Sequence, residues 1–311
     1  MSEKIAPRAV LGETLIKLAE ENPDIVVLDA DFNTASLIAP YKKRFPERFI
    51  QCGIAEQNMM SIAAGMSTTG FIPFASTIAT FCSRRACDQV AVSIAISKLN
   101  VKILALYPGF LVGTNGASHQ SMEDISIMRA MPNMTVVHPA DAVETRSVLR
   151  YAAEYNGPMY IRVAREELSQ CVPNDYKFEL GKSLTLKEGS DSTVITYGEL
   201  IEDVLEAASM AEKKGISVRV INMSSIKPID EDAIVKAAKE TGKIITVDNH
   251  NIIGGVGSAV CEVVAEKYPV RVKRLGVKDI PGRSGKNKDM KRYFGLLPED
   301  IADAIVNFPK N

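Results

Sequence analysis

The sequence predicts an α/β protein of two domains, the first built on a largely parallel sheet, and three observations carry that prediction. Short β-branched runs at residues 25–28, 101–106 and 135–137 alternate with stretches long enough for helices, the pattern of parallel strands joined by helical crossovers. Between about residues 168 and 192 the periodicity fades, through Pro173, Asn174 and Asp175 and then Gly189, Ser190 and Asp191, as in a linker. It resumes at residues 193–196, 218–221 and 244–247, with a helix whose apolar positions Ile201, Val204, Leu205, Ala208 and Ala211 follow helical spacing. The expected division is residues 1–170, a linker at 171–190, and a smaller α/β domain at 191–311.

Composition narrows the function classes. The 311 residues are 46% hydrophobic and 24% charged, enough for two cores. The 37 Lys+Arg and 38 Asp+Glu nearly cancel, so neither a nucleic-acid surface nor an anionic membrane is the expected partner. The five cysteines form no C-x-x-C pair, and Cys82 and Cys87 lack the His companions of a zinc site. Reduced structural thiols are expected, with no metal site of the chain's own. No run approaches the roughly 18 apolar residues of a membrane span, and MSEKIAPRAV carries no apolar core behind a basic stretch. A cytoplasmic location is expected.

Candidate chemistry begins at Gly53-Ile54-Ala55-Glu56-Gln57-Asn58-Met59. On a helix, Glu56 shares a face with Met59, Met60, Ala63 and Ala64, so an acid interrupts an apolar stripe. Unpaired, such a carboxyl is desolvated, its pKa rises, and it serves as a proton donor. The other reading is a helix-start Glu that faces the dipole or pairs with an Arg. His119, in Gly113-Thr114-Asn115-Gly116-Ala117-Ser118-His119-Gln120, follows an apolar strand, where open α/β sheets place ligands. It is an acid or base candidate there, or a surface residue. His138 reads as structural at a strand end. His250 precedes a glycine-rich turn that serves either tight turning or phosphate. The run from Phe74 to Val90 offers an aromatic able to stack on a heterocycle, and Arg162 and Arg165 flank a strand end, placed for phosphate or acids.

Taken in order, these segments resemble the transketolase family over nearly the whole chain. Gly53-Ile54-Ala55-Glu56-Gln57-Asn58-Met59 resembles the family's G-I-R-E-Q-H-M, Gly116-Ala117-Ser118-His119-Gln120 its T-H-Q loop, and Pro139-Ala140-Asp141 the P-A-D that follows. The resemblance implies a thiamine-diphosphate pyrimidine-binding domain followed by a transketolase C-terminal domain. It implies that Glu56 hydrogen-bonds N1′ of the cofactor's aminopyrimidine and helps generate the carbanion that carries a two-carbon ketol unit from a ketose phosphate to an aldose phosphate. Phe81 would stack on the pyrimidine, Asp31 would lie near the thiazolium, and His119 would contact substrate hydroxyls or shuttle protons. Arg165 and Arg8 would bind substrate phosphate.

Thr114-Asn115-Gly116 stands where the family has E-D-G, and Tyr107 where many members have a His. The segment from Cys82 to Val90 resembles deoxyxylulose-phosphate synthase or the beta subunits of 2-oxoacid dehydrogenases, which remain the enzyme alternatives. A non-catalytic scaffolding paralogue is the other class, and retention of Glu56 and His119 argues against it. The family's G-D-G motif for diphosphate and Mg²⁺ occurs nowhere in these 311 residues. The resemblance therefore implies an N-terminal-type partner subunit carrying G-D-G, in an α2β2 heterotetramer of the pentose phosphate pathway with a homodimer contact.

Overall fold

Residues 4–308 are described by the computed structural model, and they form two units: residues 4–108 with 127–179, and residues 109–126 with 180–308. In the first, strands β1 (Ile25–Asp29), β2 (Phe49–Gln51), β3 (Ile72–Ile78), β4 (Lys102–Leu106), β5 (Thr135–Val137) and β6 (Met159–Val163) run in the order β5-β6-β4-β3-β1-β2. Every pairing among them is parallel. β1, β4 and β6 are buried along their whole length, which explains why they read as continuous apolar runs rather than alternating ones. The register sets Asp29 opposite Gln51 and Ser76, so polar groups collect at the C-terminal strand ends while the interior stays apolar.

The helices of the first half are α1 (Leu11–Glu21), α2 (Ala39–Arg44), α3 (Glu56–Thr68), α4 (Asp124–Ala130) and α5 (Ala142–Glu154). Pro139-Ala140-Asp141 has a structural role here: one Asp141 oxygen caps α5 by accepting from the amides of Val143 and Glu144. Its other oxygen accepts from the amides of Cys171 and Val172, which pins the chain as it leaves β6.

Lys102, at the start of β4, is fully buried, and its amine donates to the carbonyls of Tyr155 and Gly157 at 2.6 and 2.7 Å. Two N–H groups meet two acceptors, so a neutral amine is fully satisfied. Burial pushes its pKa down to about 7. The unfolded chain holds this proton up to the ordinary lysine range. Between pH 7 and about 10 the unfolded state therefore binds more protons, and stability rises with pH. Urea unfolding at pH 7.5, 8.5 and 9.5 should show that rise, of the order of 2–3 kcal/mol between the first and the last of these. The variant Lys102→Met should flatten it; a parallel pH dependence in both proteins would refute the assignment.

In the second unit, β7 (Leu184–Lys187), β8 (Ser192–Thr196), β9 (Val218–Asn222), β11 (Lys243–Asn251) and β12 (Arg271–Val277) run in the order β12-β11-β8-β9-β7, and the short strand β10 (Ser225–Lys227) follows β9. All pairs are parallel except β7 with β9. Helices α6 (Ile201–Glu212), α7 (Glu231–Thr241), α8 (Val256–Lys267), α9 (Asn287–Phe294) and α10 (Pro298–Val306) complete it. Ile201, Val204, Ala208 and Ala211 are buried as the helical spacing predicts, with Leu205 at the margin.

Two features differ from the expected layout. β7 lies inside the stretch read as linker; it is a half-exposed edge strand whose pattern is too weak to stand out. Residues 109–126, which continue directly from β4, group with the C-terminal residues: Phe110 and Leu111 are buried in the same core as Val194, Val247 and Phe294. Among the described residues, no helix is long and apolar enough to cross a membrane.

Candidate active site

Glu56 is the first residue of α3 and is only 2% exposed. Its Oε2 accepts from the Arg85 guanidinium at 2.7 Å, so of the two sequence readings the paired one describes this chain. Arg85 is 44% exposed, which leaves its side of the pair open to solvent and exchangeable. The same guanidinium lies 4.2 Å from the centre of the Phe81 ring. Phe81 and Arg85 bound a π-helical segment, Phe81–Arg85, closed by the Ala86 amide donating to the Phe81 carbonyl. That wide turn keeps residues four apart on one face, and such segments, rare overall, are frequent at functional sites. A second π-helical segment follows at Gln89–Ile96.

Asp31 is exposed, with a left-handed backbone at φ 60°. Its amide donates to Gln51 Oε1 at 2.9 Å, and the amide of Gly53 donates to the same oxygen at 3.0 Å. Gln51 in turn donates to the fully buried Asp29, whose Oδ2 also accepts from the Phe32 amide. Gln51 thus ties the Asp31 loop to the chain entering α3. Nothing in the spacing marked Gln51 or Asp29; the signal available was only that Gln51 lies two residues before the Gly53 motif.

Arg8 and Arg165 meet at Tyr107. The Arg8 guanidinium donates to the Tyr107 hydroxyl at 2.5 Å and to the Ala35 carbonyl at 2.6 Å, and the hydroxyl donates to Ala35 at 3.1 Å. Arg165 sits 4.9 Å from the centre of the Tyr107 ring, and Phe32 meets that ring edge-on. Arg8 has no carboxylate partner among the described residues, and its buried Nε has no hydrogen-bond partner. Two half-buried cations thus flank one phenol. Arg162, by contrast, is fully buried and directed at His138, 3.0 Å away, so it lies in the core and the sequence reading of His138 as structural agrees.

His119 belongs to the second unit and is half-buried at the end of a 3₁₀ turn, Ala117–His119, with Nδ1 3.0 Å from the Ser118 hydroxyl. His250 is fully buried within β11; its Nδ1 lies 2.7 Å from the Asn251 carbonyl and its Nε2 accepts from the Ser126 amide. In the glycine-rich turn after it, the Gly257 amide at the start of α8 donates to Asp248 Oδ2 and the Gly254 amide to the Ser258 hydroxyl, so both serve the turn itself.

The residues fit the aminopyrimidine that the resemblance implies. A flat N–H donor stacked on Phe81 and bonded to Glu56 is what Arg85 provides now, and a protonated aminopyrimidine would make the same two contacts. A magnesium site is a different matter: among the described residues, no group of three or more His, Cys, Asp or Glu side chains is placed to hold a metal ion.

Family models match the chain in two places: the transketolase pyrimidine-binding domain over residues 3–170 and the transketolase C-terminal domain over residues 181–301. A chain of Methanocaldococcus jannaschii described as a transketolase C-terminal section is 45% identical over 298 residues, covering 95% of this chain and 93% of that one. A 6-deoxy-6-sulfo-D-fructose transketolase subunit of a Clostridium species is 39% identical, covering 94% and 91%. A solved structure described as a split gene transketolase, inactive beta4 tetramer, superposes with a TM-score of 0.91 at 46% identity, covering 97% of both chains. Two adjoining domain matches in this order, and relatives of the same length, mean that the chain belongs to the transketolase family as a C-terminal section.

Proposed function

We propose that this chain is the C-terminal subunit of a split transketolase, moving a two-carbon ketol unit from a ketose phosphate to an aldose phosphate. It acts with an N-terminal-type subunit that binds the diphosphate and Mg²⁺ through the G-D-G motif this chain lacks. The observation that carries the reading is the Glu56–Arg85–Phe81 arrangement, a buried acid beside an aromatic ring already engaged by a planar cation. Bound thiamine diphosphate supplies the carbon nucleophile that holds the two-carbon unit between sugars.

This chain's residues have simpler tasks. Glu56 holds the proton at N1′ of the aminopyrimidine, Phe81 supports the ring face, and Asp31, positioned by Gln51, borders the thiazolium end. His119 exchanges protons with substrate hydroxyls. Arg8 and Arg165 take the terminal anion of the sugar. The relatives named for 6-deoxy-6-sulfo-D-fructose and, in Phocaeicola vulgatus, apulose-4-phosphate both imply a substrate with such a terminal group, so the acceptor and donor need not be pentose phosphates. A 46%-identical chain described as an inactive beta4 tetramer is in keeping with a subunit that needs its partner.

The test is co-expression with the N-terminal-type subunit, thiamine diphosphate and Mg²⁺, and an assay of two-carbon transfer from xylulose 5-phosphate, sulfofructose and apulose 4-phosphate to ribose 5-phosphate or another aldose phosphate. Transfer from any of these ketoses supports the reading. Pyruvate-dependent decarboxylation in place of transfer would assign the chain to the 2-oxoacid dehydrogenase or deoxyxylulose-phosphate-synthase class instead.

A further inference from the structure

The sheet of the second unit reverses its strand order at β8: the chain passes from β8 through α6 to β9 on one side, then through α7 to β11 on the other. In open α/β sheets the crevice beyond the C-terminal strand ends at such a reversal is where a ligand lies. Here that place is taken by the chain's own segment 109–126. The Phe110 amide donates to Asn249 Oδ1 at 2.9 Å, just past the paired core of β11, and Asn249 Nδ2 donates to Glu199 Oε2 at 3.3 Å, just past β8. Asn249 and Glu199 are 0% and 2% exposed.

The fit is close at both ends of the segment. Gly109 has φ +71°, and a Cβ there would stand 2.1 Å from Asn249 Oδ1. The Asn251 amide donates to the Met122 carbonyl at 2.8 Å, and Gly113 donates to Asn287 Oδ1 at 2.7 Å. Gln120, beside His119, is buried and donates to the carbonyls of Phe110 and Arg283. His119 is therefore carried on a loop seated in the strand-end crevice of the second unit.

From this we infer that the strand-end crevice of the C-terminal domain is a socket for the His119 loop, with Asn249 as its positioning residue. The domain's contribution to catalysis is to hold that loop. The inference rests, for its catalytic part, on the reading that His119 acts on substrate.

The test uses the complete assembly with its partner subunit. In Asn249→Ala, amide exchange across residues 110–121 should quicken by about 10-fold or more, and kcat should fall by a comparable factor while donor KM stays within about threefold. The double variant Asn249→Asp with Glu199→Gln exchanges donor and acceptor within the pair and still offers an oxygen to the Phe110 amide, so it should restore both. The pair Asn249→Ala and His119→Ala should lose little more activity than His119→Ala alone. Unchanged exchange in Asn249→Ala, or losses that multiply in the pair, would overturn the inference. Should His119→Ala itself keep full activity while exchange still quickens, the socket stands and the role given to His119 falls.

Discussion

Glu56→Gln should leave the chain folded and able to pair with its partner while turnover falls by about 10²–10⁴-fold. The amide is nearly isosteric and still offers an oxygen to Arg85, so packing under α3 is preserved. Because Arg85 is 44% exposed, losing the opposite charge costs that side chain little. What the amide cannot supply is a group that holds a proton at N1′ as an anion and gives it back. Retention of more than a tenth of the activity would mean that the carboxyl serves only its pair with Arg85. Circular dichroism and the mass of the assembly distinguish loss of chemistry from loss of structure.

The second large effect concerns the Arg8–Tyr107–Arg165 corner. Arg165→Ala should lower kcat/KM for phosphorylated ketoses by about 10²-fold, the loss expected when a charge-assisted contact to a dianion is removed. An unphosphorylated ketose donor should be affected by less than about threefold. Arg165→Lys should recover only part of the loss, because an ammonium does not stack on the Tyr107 ring as the guanidinium does. Equal losses for phosphorylated and unphosphorylated donors would place Arg165 in a structural role. Tyr107→Phe, which keeps the ring but frees Arg8 from its hydroxyl, should raise the KM of phosphorylated donors about 10-fold.

Much of the fold was legible because buried parallel strands leave uninterrupted β-branched runs, and β1, β4 and β8 did so. The motif around Glu56 was legible as an anomaly, an acid on an apolar face. Its partner was not, since Arg85 reaches Glu56 from 29 residues away and only because the chain takes a π-helical turn that no local periodicity announces. Tyr107 was noticed for standing in place of a His, but its role as the meeting point of Arg8 and Arg165 depends on residues 99 and 58 positions distant. The assignment of residues 109–126 to the second unit was hidden for a related reason: Pro108-Gly109 reads as an ordinary turn, and the sequence carries no sign of where Phe110 is buried.

That segment also governs how the chain reaches its folded state. The second core is discontinuous, since Phe110 must find Phe294, 4.9 Å from it in the finished structure but separated by most of the polypeptide. Such long-range closure is slow, and it ties completion of the second core to residues made before the first unit's last strand. A fragment beginning at Leu180 would lack the side chains of Phe110 and Leu111 and carry a hole lined by Val194, Val247 and Phe294. A fragment starting at Leu180 should therefore be less stable than the same core within the whole chain, by the cost of the cavity that Phe110 and Leu111 leave.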